Sequence, residues 1–142
     1  MVYIWFLSVV RDMANRNSLT DLNKLLEEYG TDCSEAVRKI TTQVAKEGAE
    51  ALRNLKFAEQ PTYKIRSGNY NKGWSVKKKK MKNRMVNKIY NKTNHDLTIY
   101  LENGHMKRNG TGRTRAFKHI EPTEKWVEAE LEKRIEEFFN RL

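Results

Sequence analysis

The sequence predicts an α+β fold: a long N-terminal helix, an antiparallel sheet of three to four strands, and a C-terminal helix packed on one sheet face. Three observations carry this expectation. Apolar residues recur every three or four positions from Leu22 to Leu55. Aromatic and β-branched residues bounded by Gly and Asn fill the region between about 62 and 102, and helical spacing returns from Pro122. Two such changes of period, from 3.6 to 2 and back, place helices beside a meander of strands.

The first helix is expected from about residue 20 to 56. Its stripe runs Leu22, Leu26, Tyr29, Cys33, Val37, Ile40, Val44, Gly48, Leu52 and Leu55, one face of an amphipathic helix. Ser18 or Thr20 can cap its start. Gly30 is a weak point, with Asp32 and Glu35 spaced as a second capping box, but the stripe keeps phase across it and favours one continuous helix. Gln60-Pro61 is expected to end the helix, because the residue before proline is pushed out of the helical region.

Strands are expected in "YKIRSGNYNKGWSVKKKK", "RMVNKIYNKT" and "DLTIYLE". The last reads most clearly, with Leu97, Ile99 and Leu101 alternating with Thr98, Tyr100 and Glu102. Met81 to Arg84 and Asn94-His95-Asp96 are the expected turns. The final helix begins at Pro122, where a missing N–H costs nothing. Val127, Leu131, Ile135, Phe138 and Leu142 form its stripe, flanked by Trp126 and Phe139, and Glu124 and Glu128 near its start suit the helix dipole.

A chain of 142 residues can bury about two thirds of its unfolded surface, so a single domain spanning 1–142 is expected. The apolar opening "MVYIWFLSVV" is about half the length of a membrane-spanning helix. It lacks the basic flank and cleavage site of a secretory signal. Residues 1–12 read as an apolar arm or an upstream extension, with Met1 and Met13 both open as starts. The lone Cys33 cannot form an internal disulfide, which fits a reducing compartment.

Charge is segregated along the chain. Residues 61–120 carry 16 basic and 2 acidic side chains, while the flanking segments are near neutral or acidic. Such a middle favours acidic partners, whether nucleic acid or protein. Within it, Lys77, Lys78, Lys79, Lys80, Lys82 and Arg84 are candidates for contact with nucleic acid or an acidic surface, with Tyr70, Trp74 and Tyr90 placed to stack on bases. The opposing reading is a strand edge kept soluble by lysines.

Enzyme chemistry is not expected. His95, His105 and His119 lack thiolate partners and the His-x-x-x-His spacing of a zinc site. Gly110-Thr111-Gly112-Arg113 lacks the Gly-Lys-Ser/Thr ending of a phosphate loop. No serine or cysteine sits in a recognisable pairing with histidine. No cofactor and no metal are expected.

Two segments resemble a known family. "IRSGNYNKGWSVKK", residues 65–78, is similar to a Thr/Ser-Gly-x-Leu/Tyr segment that opens the sheet. "LENGHMKRNGTGRTRAFKHIEP", residues 101–122, is similar to a Leu-Glu-x-Gly-His or Leu-Glu-x-Gly-Thr strand end, a glycine-rich basic loop and a His-Ile-x-Pro helix start. Over residues 20–142 the chain resembles the small tail-component proteins of long-tailed bacteriophages, the gene-product-ten-like tail-completion or head–tail joining family. The resemblance implies a structural virion protein without catalytic residues, built as a ring at the phage neck. Its implied partners are copies of itself and connector, tail-terminator or tail-tube proteins, with nonspecific contact to passing double-stranded DNA and no membrane. Its implied locations are the virion neck or tail and, during assembly, the host cytoplasm. A small basic nucleic-acid-binding protein is the alternative.

In the ring reading, residues 103–119 form a mobile basic loop ordered by neighbours, since Met106, Ala116, Phe117 and two histidines are few anchors. Its interface candidates are Glu102, Gly104, His105, Lys107, Arg108, Arg113, Arg115, Lys118 and His119. Glu102 is expected to pair with a basic loop residue, and His119 to hydrogen-bond near the helix start.

Overall fold

A computed structural model describes residues 19–59, 68–82 and 84–142, with the side chains of residues 19–23, 84 and 85 left out of the description. The expectations for residues 1–18, for Gln60-Pro61 and for the side chains of Thr20, Leu22 and Arg84 lie outside the described residues. The elements in order are α1 (Leu19–Arg53), α2 (Gly68–Lys72), β1 (Trp74–Met81), β2 (Arg84–Asn91), α3 (His95–Asn103) and α4 (Ile120–Asn140). The architecture is α+β, with a long N-terminal helix, an antiparallel sheet and a C-terminal helix. Among the described residues two compact units are present: one within residues 41–131, and one formed by residues 19–40 together with 132–142.

α1 is continuous through Gly30. In the smaller unit its stripe is graded, with Leu26 and Tyr29 exposed and Cys33, Val37 and Ile40 half-buried. Its end comes earlier than the proline suggested. Leu55 takes a left-handed conformation (φ 51°), and the Lys56 N–H donates to the Ala51 carbonyl at 2.9 Å, a Schellman-type closure. A leucine there is strained, and burial of its side chain offsets the cost.

The larger unit holds the core. Leu52, Tyr70 and Trp74 form its centre, with Ile89, Leu101 and Ile120 packed against them. Gly48, which occupies an apolar stripe position, is the point of closest approach. A Cβ there would meet Val127 at 2.6 Å and Ile89 at 3.0 Å, so the absent side chain lets α1 lie against the first half of α4 and against β2. Phe57 stacks on Trp126 with ring centroids 5.0 Å apart. The Arg53 guanidinium donates twice to the Trp74 carbonyl, at 2.9 and 2.7 Å, tying the end of α1 to the start of β1.

The sheet is smaller than the sequence implied. Among the described residues it has two strands, paired from Trp74 opposite Asn91 down to Met81 opposite Arg84, so the expected turn holds. Of the expected strand segment before Trp74, residues 63–67 lie outside the described residues, and the described part is not strand: Gly68–Lys72 is a short helix that buries Tyr70 completely. "DLTIYLE" is not strand either, but lies within α3. Helical spacing puts Thr98, Leu101 and Glu102 on the covered side and leaves Ile99, an inward residue in a strand, 66% exposed. Asn94-His95-Asp96 is thus a helix start, with the Leu97 N–H donating to the Asn94 carbonyl at 3.1 Å.

α4 begins at Ile120, two residues before the proline, and Pro122 falls in its first turn. Its stripe is as expected: Val127, Leu131, Ile135, Phe138 and Leu142 are each half-buried. Among the described residues no helix is long and apolar enough to cross a membrane.

Candidate functional site

The C-terminal end of α3 and the start of α4 meet at one carboxylate. Glu102 Oε2 accepts the N–H groups of His119 at 3.0 Å and Ile120 at 2.9 Å, and Oε1 accepts that of Glu121 at 2.9 Å. Three donors that a helix start leaves without intrahelical partners are therefore satisfied by a side chain 17 to 19 residues upstream. The negative charge also sits at the favourable end of the helix dipole. The expected pairing of Glu102 with a basic loop residue is corrected: its carboxylate accepts backbone N–H groups, and the side chain beside it is the buried His119 ring, whose Nδ1 lies 3.1 Å away.

His119 is fixed on every side. Its ring stacks on Phe117 with centroids 5.0 Å apart and meets Tyr70 and Trp74 edge-on. Nδ1 lies 2.8 Å from the Phe117 carbonyl oxygen, an acceptor only, so Nδ1 carries the proton. Nε2 is then the acceptor, and the Tyr70 hydroxyl donates to it at 2.7 Å. Burial, opposed by the Phe117 carbonyl and the Glu102 charge, pushes the His119 pKa below its ordinary value. Burial, reinforced by Glu102, pushes the Tyr70 hydroxyl well above its own. Both groups are neutral near pH 7; the Tyr70, His119 and Glu102 polar groups satisfy one another, whereas among the described residues the buried Trp74 Nε1 beside them has no hydrogen-bond partner. The expectation that His119 hydrogen-bonds near the helix start agrees with its N–H to Glu102 and with the Thr123 hydroxyl donating to its carbonyl at 2.7 Å.

From this clasp the segment 103–118 leaves and returns as a hairpin. Met106 and Arg113 form a β-bridge, the Lys107 N–H donates to the Gly112 carbonyl at 3.0 Å, and the Gly110 N–H donates back to Lys107 at 2.9 Å. Thr114 pairs with His105 through both backbone and hydroxyl. Gly104 has a φ of 67°, and a Cβ on it would lie 2.4 Å from the Thr114 carbonyl oxygen, so the hairpin neck requires glycine. The expected shortage of anchors is corrected: Phe117 and His119 are 3% and 1% exposed, and the Phe117 N–H donates to the Leu101 carbonyl at 2.7 Å.

The interface candidates divide by burial. Glu102, Gly104 and His119 are interior and hold the hairpin. His105, Lys107, Arg108, Arg113 and Arg115 are exposed, and Lys118 is half-buried beside Glu121 at 3.4 Å. Lys125 and then Lys118 hold the exposed Glu121 carboxyl below its ordinary pKa. Ile99, Tyr100 and Met106 are more than half exposed, and the Tyr100 ring meets His105 edge-on at 5.5 Å. One end of the larger unit thus shows apolar and basic side chains together.

Lys77, Lys78, Lys79, Lys80 and Lys82 are exposed on the two-stranded ribbon. The expected stacking platform is corrected: Tyr70 and Trp74 are core residues, 0% and 4% exposed, and Tyr90 is half-buried. Sequence reasoning missed Asn91, whose buried side chain donates to the Tyr70 carbonyl and accepts the N–H groups of Thr93 and Asn94. An asparagine between a strand and a Thr-Asn pair was the available signal. Among the described residues no group of three His, Cys, Asp or Glu side chains is placed to hold a metal ion. Comparison with protein-family models, with curated proteins and with solved structures gave no match to this chain.

Proposed function

We infer that the chain is a structural component of a long-tailed phage or prophage virion, acting in tail completion or head–tail joining at the neck through assembly into a ring. The observation that carries this reading is the clasped hairpin. Of the residues behind the family resemblance, Leu101, Glu102, Gly104, His119 and Ile120 build the clasp and its neck. Their role is to hold an exposed basic loop at a fixed place, which is an assembly role and not a chemical one. Beside the hairpin, Ile99, Tyr100 and Met106 expose apolar surface that a neighbouring copy or neck protein would cover. A ring needs such a surface to meet a different surface on the next copy.

Sedimentation velocity and electron microscopy of the purified full chain test the reading. Closed rings that dissociate when Met106→Asp and Tyr100→Asp are introduced are the expected result. A monomer or dimer at every concentration, with steeply salt-dependent DNA binding, would instead favour the nucleic-acid-binding reading.

A further inference from the structure

The two-stranded ribbon has faces of different character, and the register assigns each lysine to one of them. Trp74, Val76, Lys78 and Lys80 share a face with Asn91, Ile89 and Asn87. That face is the inner one: Trp74 and Ile89 join the core, and the Asn87 amide donates to Thr42 of α1 at 3.5 Å. The outer face carries Ser75, Lys77 and Lys79 opposite Tyr90, Lys88 and Val86. Lys77 stands directly across from Lys88, with Lys79 two residues along. All three are exposed.

This arrangement opposes folding. Like charges directly opposite one another weaken a strand pair, and no acidic residue occurs anywhere between Glu59 and Asp96 to relieve them. Among the described residues no ribbon lysine forms an ion pair. Protection of a strand edge explains lysines, but mixed Lys and Glu would protect an edge equally without the repulsion. A local conflict of this kind marks a surface kept for binding.

We propose that the outer face of this ribbon, through Lys77, Lys79 and Lys88, binds the phosphate backbone of double-stranded DNA without sequence preference. Three features select this occupant. Lysine ammonium groups are point charges suited to phosphates and lack the planar fork that grips carboxylates in pairs. The ribbon offers no fully exposed aromatic ring on which single-stranded bases could stack. A two-stranded ribbon also has a width that the DNA major groove admits. The inference goes beyond the neck reading and stands or falls separately from ring formation.

The test compares two triple variants of the full chain with equal loss of charge. In K77Q/K79Q/K88Q the outer face is neutralised; in K78Q/K80Q/K82Q the inner face and the turn are. Affinity for a mixed-sequence duplex is followed by fluorescence anisotropy between about 50 and 200 mM salt. The outer variant is expected to lose at least about tenfold in affinity, with the slope of log affinity against log salt reduced by about 2 to 3, at roughly 0.9 per phosphate contact. The inner variant is expected to stay within about threefold of the parent. K77R/K79R/K88R, which keeps the charge, is expected to bind as the parent does, so a loss caused by misfolding is recognised. Equal losses in the two glutamine variants would overturn the proposal. So would absence of duplex binding by the parent at low salt, or tighter binding to phosphatidylserine vesicles or to polyglutamate than to the duplex.

Discussion

At the scale of single residues, Glu102 is the member whose removal reaches furthest. Glu102→Ala leaves three N–H groups at the start of α4 without their acceptor. The expected cost is about 3 kcal/mol in urea unfolding, more than an ordinary cap because three bonds are lost at once, one of them buried and two partly buried. Glu102→Gln, which keeps one carbonyl oxygen, should cost roughly half as much. Tyr70→Phe removes the donor to His119 Nε2 and should cost about 1 kcal/mol. The His119 pKa is depressed on folding, so the unfolded chain takes up that proton first as pH falls. The corresponding stability is present above the unfolded value of about 6.5 and is lost as pH falls through that value toward the folded one. Urea midpoints measured from pH 8 to pH 5 should drop in this window, and His119→Asn should flatten the drop.

At the scale of elements, the hairpin neck and the ribbon make opposite predictions. Gly104→Ala forces a side chain against the Thr114 carbonyl at a positive φ and should cost about 2 kcal/mol or more. Gly110→Ala, equally left-handed but in open space, should cost only about 1 kcal/mol. On the ribbon, Lys88→Glu replaces a repulsive cross-strand pair with Lys77 by an attractive one. Stability should rise by about 0.5 kcal/mol, while affinity for duplex DNA falls. Elements with a long, regular pattern were legible in the sequence. The stripes of α1 and α4 and the pairing of β1 with β2 follow from spacing and turn position alone. "DLTIYLE" misled because six residues of alternating character also place Thr98, Leu101 and Glu102 on one helical face. The contacts that choose between the two are made by residues far along the chain.

At the scale of the whole molecule, the basic middle and the glycine-rich basic run of residues 101–122 were visible in the sequence, but which of their side chains turn inward was not. Nothing in the spacing shows that Glu102 and His119 turn inward to meet Tyr70, because that meeting requires α2, α3 and the start of α4 to be placed together. Nor does a lysine run reveal that alternate members occupy different faces and that Lys88 belongs with one set. For the hairpin, hydrogen exchange compares the free chain with the assembled ring. Amides 105–113 are expected to exchange fast in the free chain and to be protected in the ring, whereas Phe117 and His119 are protected in both. Equal protection of 105–113 in both states would remove the hairpin from the interface.

The central claim concerns where the protein resides, and labelling of particles tests it most directly. Phage particles released from a lysate that produces this chain, probed with an antibody to the chain and viewed by electron microscopy, should carry label at the junction of head and tail. Disruption of the gene should yield heads and tails that fail to join. Label confined to the unassembled fraction, together with intact infectious particles after disruption, would contradict a structural role in the neck.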